Sequence, residues 1–343
     1  MMRFKGAALA AGLALLIVGC SSGGDTSAPA TTTGGGSTAN ADGGKKLKIA
    51  VIPKGSTHDY WKALHAGADA AAQELGVDID FKGPLKEDDK EDQIKTVEDF
   101  VTAKVDGIVL APLDNHALAK SVEAAVAAGI PVVVIDSGLE GKAYSATAMT
   151  NNYEGGKKAG EEMVKLLGGK GIIIVLRYMG GSASTMEREQ GFLDVIAKSK
   201  DIKVLSSNQE AGPTADSAQQ KAEGLLGGFK NPDGTLQAQG IYCPNESSTF
   251  GMLRVLDENS WSGKVKFVGF DSSPKLDEAL KAGKIDALVL QDPVKMGHDS
   301  VATMVKIIKK QQFDKAEDTG STLVTKENMD KPEINALLNP KQD

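Results

Sequence analysis

Gly107-Ile-Val-Leu-Ala-Pro112, followed by Val132-Val-Val-Ile-Asp-Ser137, decides the fold, because the second half of the chain repeats the arrangement as Gly240-Ile-Tyr-Cys-Pro244 and Val265-Lys-Phe-Val-Gly-Phe-Asp-Ser272. The distance from first glycine to aspartate is 29 residues in one copy and 31 in the other. Each copy holds two short apolar runs separated by a helical stretch, and each ends its second run in an aspartate. Uninterrupted apolar strands alternating with helices indicate a parallel sheet covered on both faces. Ligands of such sheets bind outside the carboxyl ends of the strands, so two facing lobes would bring Asp136 and Asp271 to one cleft. A single aspartate after a strand reads most simply as a turn cap. Two at matching positions favour a shared site.

Outward from these repeats the alternation continues. Apolar runs at 47–52, 77–81 and 131–135 predict strands, and 60–75, 91–103 and 115–128 have helical spacing. The pattern restarts with helix 153–167, strand 171–176, helix 186–198, strand 204–207 and helix 215–227, then strands 265–270 and 287–290 and helix 294–309. About 300 residues of this kind exceed what one hydrophobic core organises, so two lobes are expected.

The first twenty residues are not part of either lobe. Arg3 and Lys5 precede an apolar stretch from Gly6 to Val18, and Ile17-Val18-Gly19-Cys20 closes it. The stretch is too short to span a membrane and stay. It resembles the lipobox of bacterial lipoproteins, which implies cleavage before Cys20, acylation of its sulfur and anchorage outside the cytoplasmic membrane. Residues 21–46 are dominated by Gly, Ser, Thr, Ala and Asp and cannot bury enough surface to fold. They read as a tether with a reach of roughly 25 to 30 Å.

Loss of the leader takes two of the 39 basic residues and none of the 46 acidic ones, moving the formal charge from −7 to −9. An acidic chain without a basic cluster is a poor nucleic-acid binder. With Cys20 in the lipobox, Cys243 has no partner for an intramolecular disulfide and reads as a small buried strand residue. His58, His65, His116 and His298 form no metal-ligand spacing, and no metal or cofactor is expected. Gly180-Gly181-Ser182 lacks the spacing of a nucleotide-binding loop and reads as a turn that places the following helix. The spacing of Trp61, Leu64 and Ala68 would suit a helix face packed in a core. Adjacent Tyr60 and Trp61 nonetheless point different ways at a helix start, which favours the cleft.

From Leu47 to about Val324 the chain resembles the type I periplasmic binding proteins for sugars, the ribose-binding branch in particular. The likeness is carried by Ile49-Ala50-Val51 to Tyr60-Trp61, Val134-Ile135-Asp136, Glu187-Arg188-Glu189-Gln190-Gly191-Phe192, Pro244-Asn245-Glu246, Val268-Gly269-Phe270-Asp271 and Leu290-Gln291-Asp292, in that order. It implies two doubly wound α/β lobes joined by a three-stranded hinge, one over 47–150 plus 292–320 and the other over 151–291 plus 321–343. It further implies that Tyr60 and Trp61 clamp a monosaccharide, that Asp136, Arg188, Asn245, Asp271 and Gln291 hydrogen-bond its hydroxyls, and that Phe270 packs on a face. Carboxylates, amides and a planar guanidinium suit hydroxyls, which both donate and accept, and aromatic rings cover the C–H faces of a sugar. No catalysis is implied. The expected role is that of a monomeric, lipid-anchored receptor in the periplasm or at the outer face of the membrane, serving an ABC permease.

Three positions depart from the ribose branch. Lys54 stands in place of a small hydroxyl residue, His58 in place of an amide, and Ser137 in place of arginine. Ile52-Pro53-Lys54 and Gly83-Pro84 are more similar to receptors for the autoinducer furanosyl sugar and for rhamnose, and a sugar acid is a further alternative. Lys54 could donate into the cleft, pair with Asp271 or Asp136, or face solvent. A receptor core of the transcription-repressor type would need a DNA-binding module where this chain has its leader and tether. A role as ligand-sensing partner of a chemoreceptor or sensor kinase is compatible with transport.

Overall fold

The computed structural model describes residues 45–339. The leader with Cys20, and the tether apart from its last two residues, lie outside the described residues. In chain order the first part runs β1 (Lys48–Ile52), α1 (Asp59–Leu75), β2 (Asp78–Phe81), α2 (Lys90–Ala103), β3 (Gly107–Leu110), α3 (Ala119–Ala127), β4 (Val132–Ile135) and β5 (Ala146–Met149). The second part runs α4 (Asn152–Leu166), β6 (Lys170–Arg177), α5 (Ala183–Ile196), β7 (Asp201–Glu210), α6 (Ala215–Gly227), β8 (Gly240–Tyr242), α7 (Glu246–Glu258), β9 (Lys266–Phe270), α8 (Pro274–Lys281) and β10 (Ala287–Leu290). The chain ends with α9 (Pro293–Ile308), β11 (Ala316–Asp318), β12 (Thr322–Thr325) and α10 (Pro332–Leu338).

Two six-stranded sheets result, ordered β2-β1-β3-β4-β5-β11 and β7-β6-β8-β9-β10-β12. The order is the same in both once the strands are matched, so the echo between the 107–136 and 240–271 segments is an echo between β3–β4 and β8–β9. Each sheet is covered on both faces. In β1, Ile49 and Val51 join the core under α1 and α9, while Ala50 and Ile52 join the core under α2 and α3. Alternate residues of one strand therefore enter two cores, which is why the strand reads as an unbroken apolar run. The second lobe divides likewise, with Ile173 and Val175 of β6 beneath α4 and α5 and Ile174 and Leu176 on the side of α6 and α7.

The chain crosses between the lobes after β5, after β10 and between β11 and β12. At the crossings Thr150 Oγ1 lies 3.3 Å from Thr319 Oγ1 and donates to the Gly320 carbonyl at 3.1 Å. All pairs are parallel except β10 with β12.

Several elements are not visible as apolar runs. β7 spans 201–210 rather than 204–207, because it is an edge strand with mostly half-exposed or exposed residues and register shifts against β6. β5 is built from Ala-Thr-Ala-Met, and β11 from Ala-Glu-Asp at the sheet edge.

Helices α1 and α9 approach each other at backbone distance. An added Cβ on Gly297 of α9 would lie 2.1 Å from the Leu64 carbonyl oxygen of α1, and one on Gly67 would lie 2.0 Å from the Val294 oxygen. Gly297→Ala should therefore force α9 from α1 and destabilise the protein by on the order of 1–3 kcal/mol. A thermal melting temperature equal to that of the wild type would show that the two helices can separate at no cost.

Candidate functional site

Both matched aspartates occupy the left-handed region, Asp136 with φ 61° just after β4 and Asp271 with φ 64° just after β9. Asp271 N still bonds the Val289 carbonyl of the neighbouring strand at 2.9 Å before the chain turns. Ser137 N reaches back to the Ile135 carbonyl at 2.6 Å and closes a tight turn around Asp136. Aspartate tolerates this region better than most residues, yet it is strained, and strain persists where the surroundings hold it. Here it turns each carboxylate from its strand into the space between the lobes.

Each buried carboxylate there meets a cation. Lys54, in the loop after β1, is 3 % exposed and its Nζ lies 2.7 Å from Asp136 Oδ2. The approach is close without hydrogen-bond alignment, so Oδ2 retains an unmatched lone pair. The same ammonium donates across the cleft to Ser184 Oγ at 3.0 Å and Ser182 Oγ at 3.3 Å. Of the three alternatives for Lys54, the geometry is that of the Asp136 pair.

Arg188, on α5, donates through Nε to Asn152 Oδ1 at 2.8 Å and through Nη1 to the Pro244 carbonyl at 3.0 Å, with Asp271 Oδ2 3.7 Å away. Its guanidinium carbon sits 3.9 Å above the centre of the Phe270 ring. Asp271 also accepts from Gln291 Nε2 at 2.7 Å and from the Glu246 backbone at 3.2 Å. Burial pushes its carboxyl above the usual range, opposed first by Arg188 and then by Gln291.

The third carboxylate is Glu87, in the loop between β2 and α2. It lies 2.6 Å from His58 Nδ1 and accepts from Trp61 Nε1 at 2.7 Å and from Tyr178 OH, in the other lobe, at 2.8 Å. Burial would raise its pKa, but the His58 charge and hydrogen bond overcome this and hold it at about 2. Burial likewise opposes the His58 charge, and Glu87 overcomes it to push His58 up to about 9. Tyr60 stands edge-on to Trp61 with ring centres 4.9 Å apart. Burial and the charges of Asp136 and Asp271 raise its phenol well above 10.

Lys54, His58, Tyr60, Trp61, Asp136, Arg188, Asn245, Asp271 and Gln291 all line one cavity between the lobes. Phe270 does not. Strand alternation puts it with Val268 in the core beneath α4, so it supports Arg188 from behind rather than facing the cleft. Asn245 has a second role as N-cap of α7, accepting from Ser248 N at 3.2 Å. Glu87, Tyr178, Ser182, Ser184 and Thr185 complete the lining and were not anticipated. The cavity is only about 20 Å³, because side chains from the two lobes meet across it. Three buried atoms on its wall, His58 Nε2, Asp136 Oδ2 and Gln291 Oε1, have no hydrogen-bond partner among the protein atoms. Among the described residues no cluster of three His, Cys, Asp or Glu is placed to hold a metal ion, and no helix is long and apolar enough to cross a membrane.

Two α/β lobes of identical strand order, three crossings, and a polar cavity at the carboxyl ends of both sheets define the two-lobed solute-binding proteins of type I. The chain belongs to the periplasmic binding protein family, whose domain model matches residues 49–312. It is similar to the ribose import binding protein RbsB of Escherichia coli (strain K12), 28 % identical over 273 residues that cover 79 % of this chain and 88 % of the relative. It is also similar to the D-allose-binding periplasmic protein of the same organism, 28 % identical over 266 residues, 75 % of this chain and 83 % of that one. Among solved structures, a carbohydrate transporter solute-binding protein from Agrobacterium radiobacter in complex with D-arabinose superposes with a TM-score of 0.81 at 33 % identity, covering 86 % of this chain and 99 % of that one. An ABC transporter solute-binding protein from Agrobacterium vitis with bound D-fucose gives 0.80 at 34 % identity, covering 85 % and 99 %. The family is one of binding proteins, not enzymes.

The His58–Glu87 pair makes stability depend on pH in a defined direction. His58 holds its proton more tightly when folded, so its contribution is complete below 6.5 and lost as pH rises through about 9. Glu87 is shifted the other way, so its contribution is complete above 4.5 and lost as pH falls toward about 2. Melting temperature should therefore decline from about pH 6 to about pH 9, and His58→Asn should flatten that decline. Equal slopes in wild type and variant would exclude the pair as its source.

Proposed function

We propose that the protein captures a neutral monosaccharide between its lobes and delivers it to an ABC importer, held at the outer face of the membrane by a lipid on Cys20. The observation that carries the reading is the charge balance of the cavity together with its leftover hydrogen-bonding atoms. Lys54, Arg188 and protonated His58 face Asp136, Asp271 and Glu87, three cations against three carboxylates. What remains is a donor at His58 Nε2 and an acceptor at Asp136 Oδ2 in one lobe and an acceptor at Gln291 Oε1 in the other. Hydroxyl groups satisfy both kinds at once without adding charge. A sugar acid would bring a carboxylate with no free cation, at a burial cost of several kcal/mol. Tyr60 and Trp61 provide the apolar surface that C–H faces require.

A cavity of about 20 Å³ is too small for a sugar ring, so entry requires the lobes to part and interlobe contacts such as Lys54 to Ser184 to open. Ligand then bridges both lobes, and its differential contacts favour the closed form that a permease would recognise. The relatives named for ribose, allose, arabinose and fucose support a neutral pentose or hexose.

A thermal-shift screen of pentoses, hexoses, deoxysugars, sugar acids and amino acids tests this reading. A neutral monosaccharide at about 100 times its Kd should stabilise the fold by about 2.7 kcal/mol, and acids should do little. A response confined to sugar acids or amino acids would overturn it. Asp271→Asn, which keeps a residue tolerant of the left-handed backbone, should leave the fold intact and weaken binding at least tenfold, because it leaves the buried Arg188 charge without its carboxylate. Calorimetry showing unchanged affinity would remove Asp271 from the site.

A further inference from the structure

Helix α1 starts without a cap of its own. Its N-cap residue is His58, whose side chain makes no capping bond and is turned to Glu87 instead. The Trp61 N–H is met by the His58 carbonyl at 3.3 Å. The two preceding N–H groups are met from the other lobe, Asp59 N by Glu246 Oε1 at 3.2 Å and Tyr60 N by Glu246 Oε2 at 3.1 Å. Glu246 is the first residue of α7, and its backbone N–H in turn donates to Asp271 Oδ2. It does not line the ligand cavity; it lies in the groove beside it, with His58 and Lys62.

One residue thus joins the second-lobe aspartate of the cleft to the first turn of the first-lobe helix that carries Tyr60 and Trp61. We propose that Glu246 is a positioning residue for closure: its side-chain carboxyl group completes the cap of α1 only when the lobes meet, and so sets affinity through the closed state rather than through contact with the sugar. Bonds to a helix N-terminus satisfy orphan donors and suit the positive end of the helix dipole. Opening the lobes returns both N–H groups and the carboxylate to water, so these bonds contribute to closure and to nothing within either lobe alone.

The same contact links closure to protons. Burial holds the Glu246 carboxyl at about 7, opposed by His58 and by the two N–H groups. The charged neighbours are His58, Asp59 and Lys62 from α1 and its cap, Asp271 after β9, and Asp216 and Lys275 along the groove. A carboxyl near 4.5 when exposed and near 7 when covered takes up a proton as the lobes close. Closure is then favoured as pH falls, by about tenfold between about pH 8 and about pH 6.

The proposal rests on reading the cleft as a sugar site that closes, and the test separates the two. Spin labels on Glu91→Cys and Gln220→Cys, exposed positions in different lobes, report the interlobe distance of the ligand-free protein. Glu246→Ala should shift that distribution to longer distances and, with D-arabinose as probe, speed dissociation about fivefold, while association changes by less than about twofold. Glu246→Gln keeps one acceptor oxygen and cannot titrate, so the pH dependence of affinity should be reduced relative to wild type. Distances, dissociation rates and pH profiles like those of the wild type in both variants would overturn the latch. A wild type that binds no sugar would overturn the functional reading instead, and the ligand-free distances would still decide the role of Glu246.

Discussion

Carboxylates buried where two lobes meet are the constraint around which this molecule is arranged. Asp136, Asp271 and Glu87 are each at most 7 % exposed, and a buried carboxylate without a partner would either take up a proton or drive the lobes apart. Each is met by a cation from a different piece of backbone: Lys54 after β1, Arg188 on α5, His58 at the start of α1. The strained turns after β4 and β9, the stacking of Phe270 behind Arg188 and the close packing of α4 on α5 all hold these partners in place. Gly156 shows how tightly, since an added Cβ would stand 2.0 Å from the Arg188 carbonyl oxygen. The aromatic pair Tyr60–Trp61 is fixed in the same way, from below by the core and from the side by Glu87 and Glu246.

The architecture was legible in the sequence wherever burial on both faces of a sheet leaves unbroken apolar strands. β3, β4, β8 and β9 declared themselves, and with them Asp136 and Asp271, because position at a carboxyl end is a property of chain order alone. Arg188, Asn245 and Gln291 came from resemblance to a family, and the structure brings all three to the cavity. Glu87 was hidden for a physical reason. It sits in Leu85-Lys86-Glu87-Asp88-Asp89, where nothing local distinguishes the one acid that is buried from those that are solvated. Tyr178 could have been found by the rule that found the aspartates, since it directly follows β6. Phe270 was misplaced because a motif says which residues are adjacent and strand alternation decides which way they face.

Lys54 shows the difference between having a charge in a site and having it free. Sequence placed a lysine where resemblance to the ribose branch implies a small hydroxyl residue, which invites the idea of an anionic ligand. Its pairing with Asp136 and its two serine partners across the cleft consume that charge within the protein. The lysine becomes part of a neutral, interlobe polar network, and its displacement during entry is a cost that ligand hydroxyls must offset.

The three crossings have a consequence for how the chain is made. α9 supplies Met296, Val301, Met304 and Val305 to the core shared with α1, and β11 closes the edge beside β5, yet both follow β10 of the other lobe. A nascent chain emerging in order therefore holds every strand of the second sheet but one before the first sheet can be finished. Until residue 308 has appeared, the face of the first sheet that α9 covers has only α1 upon it. Neither lobe is a contiguous segment that could be cut out and made alone, and assembly of the first waits upon synthesis of nearly all of the second.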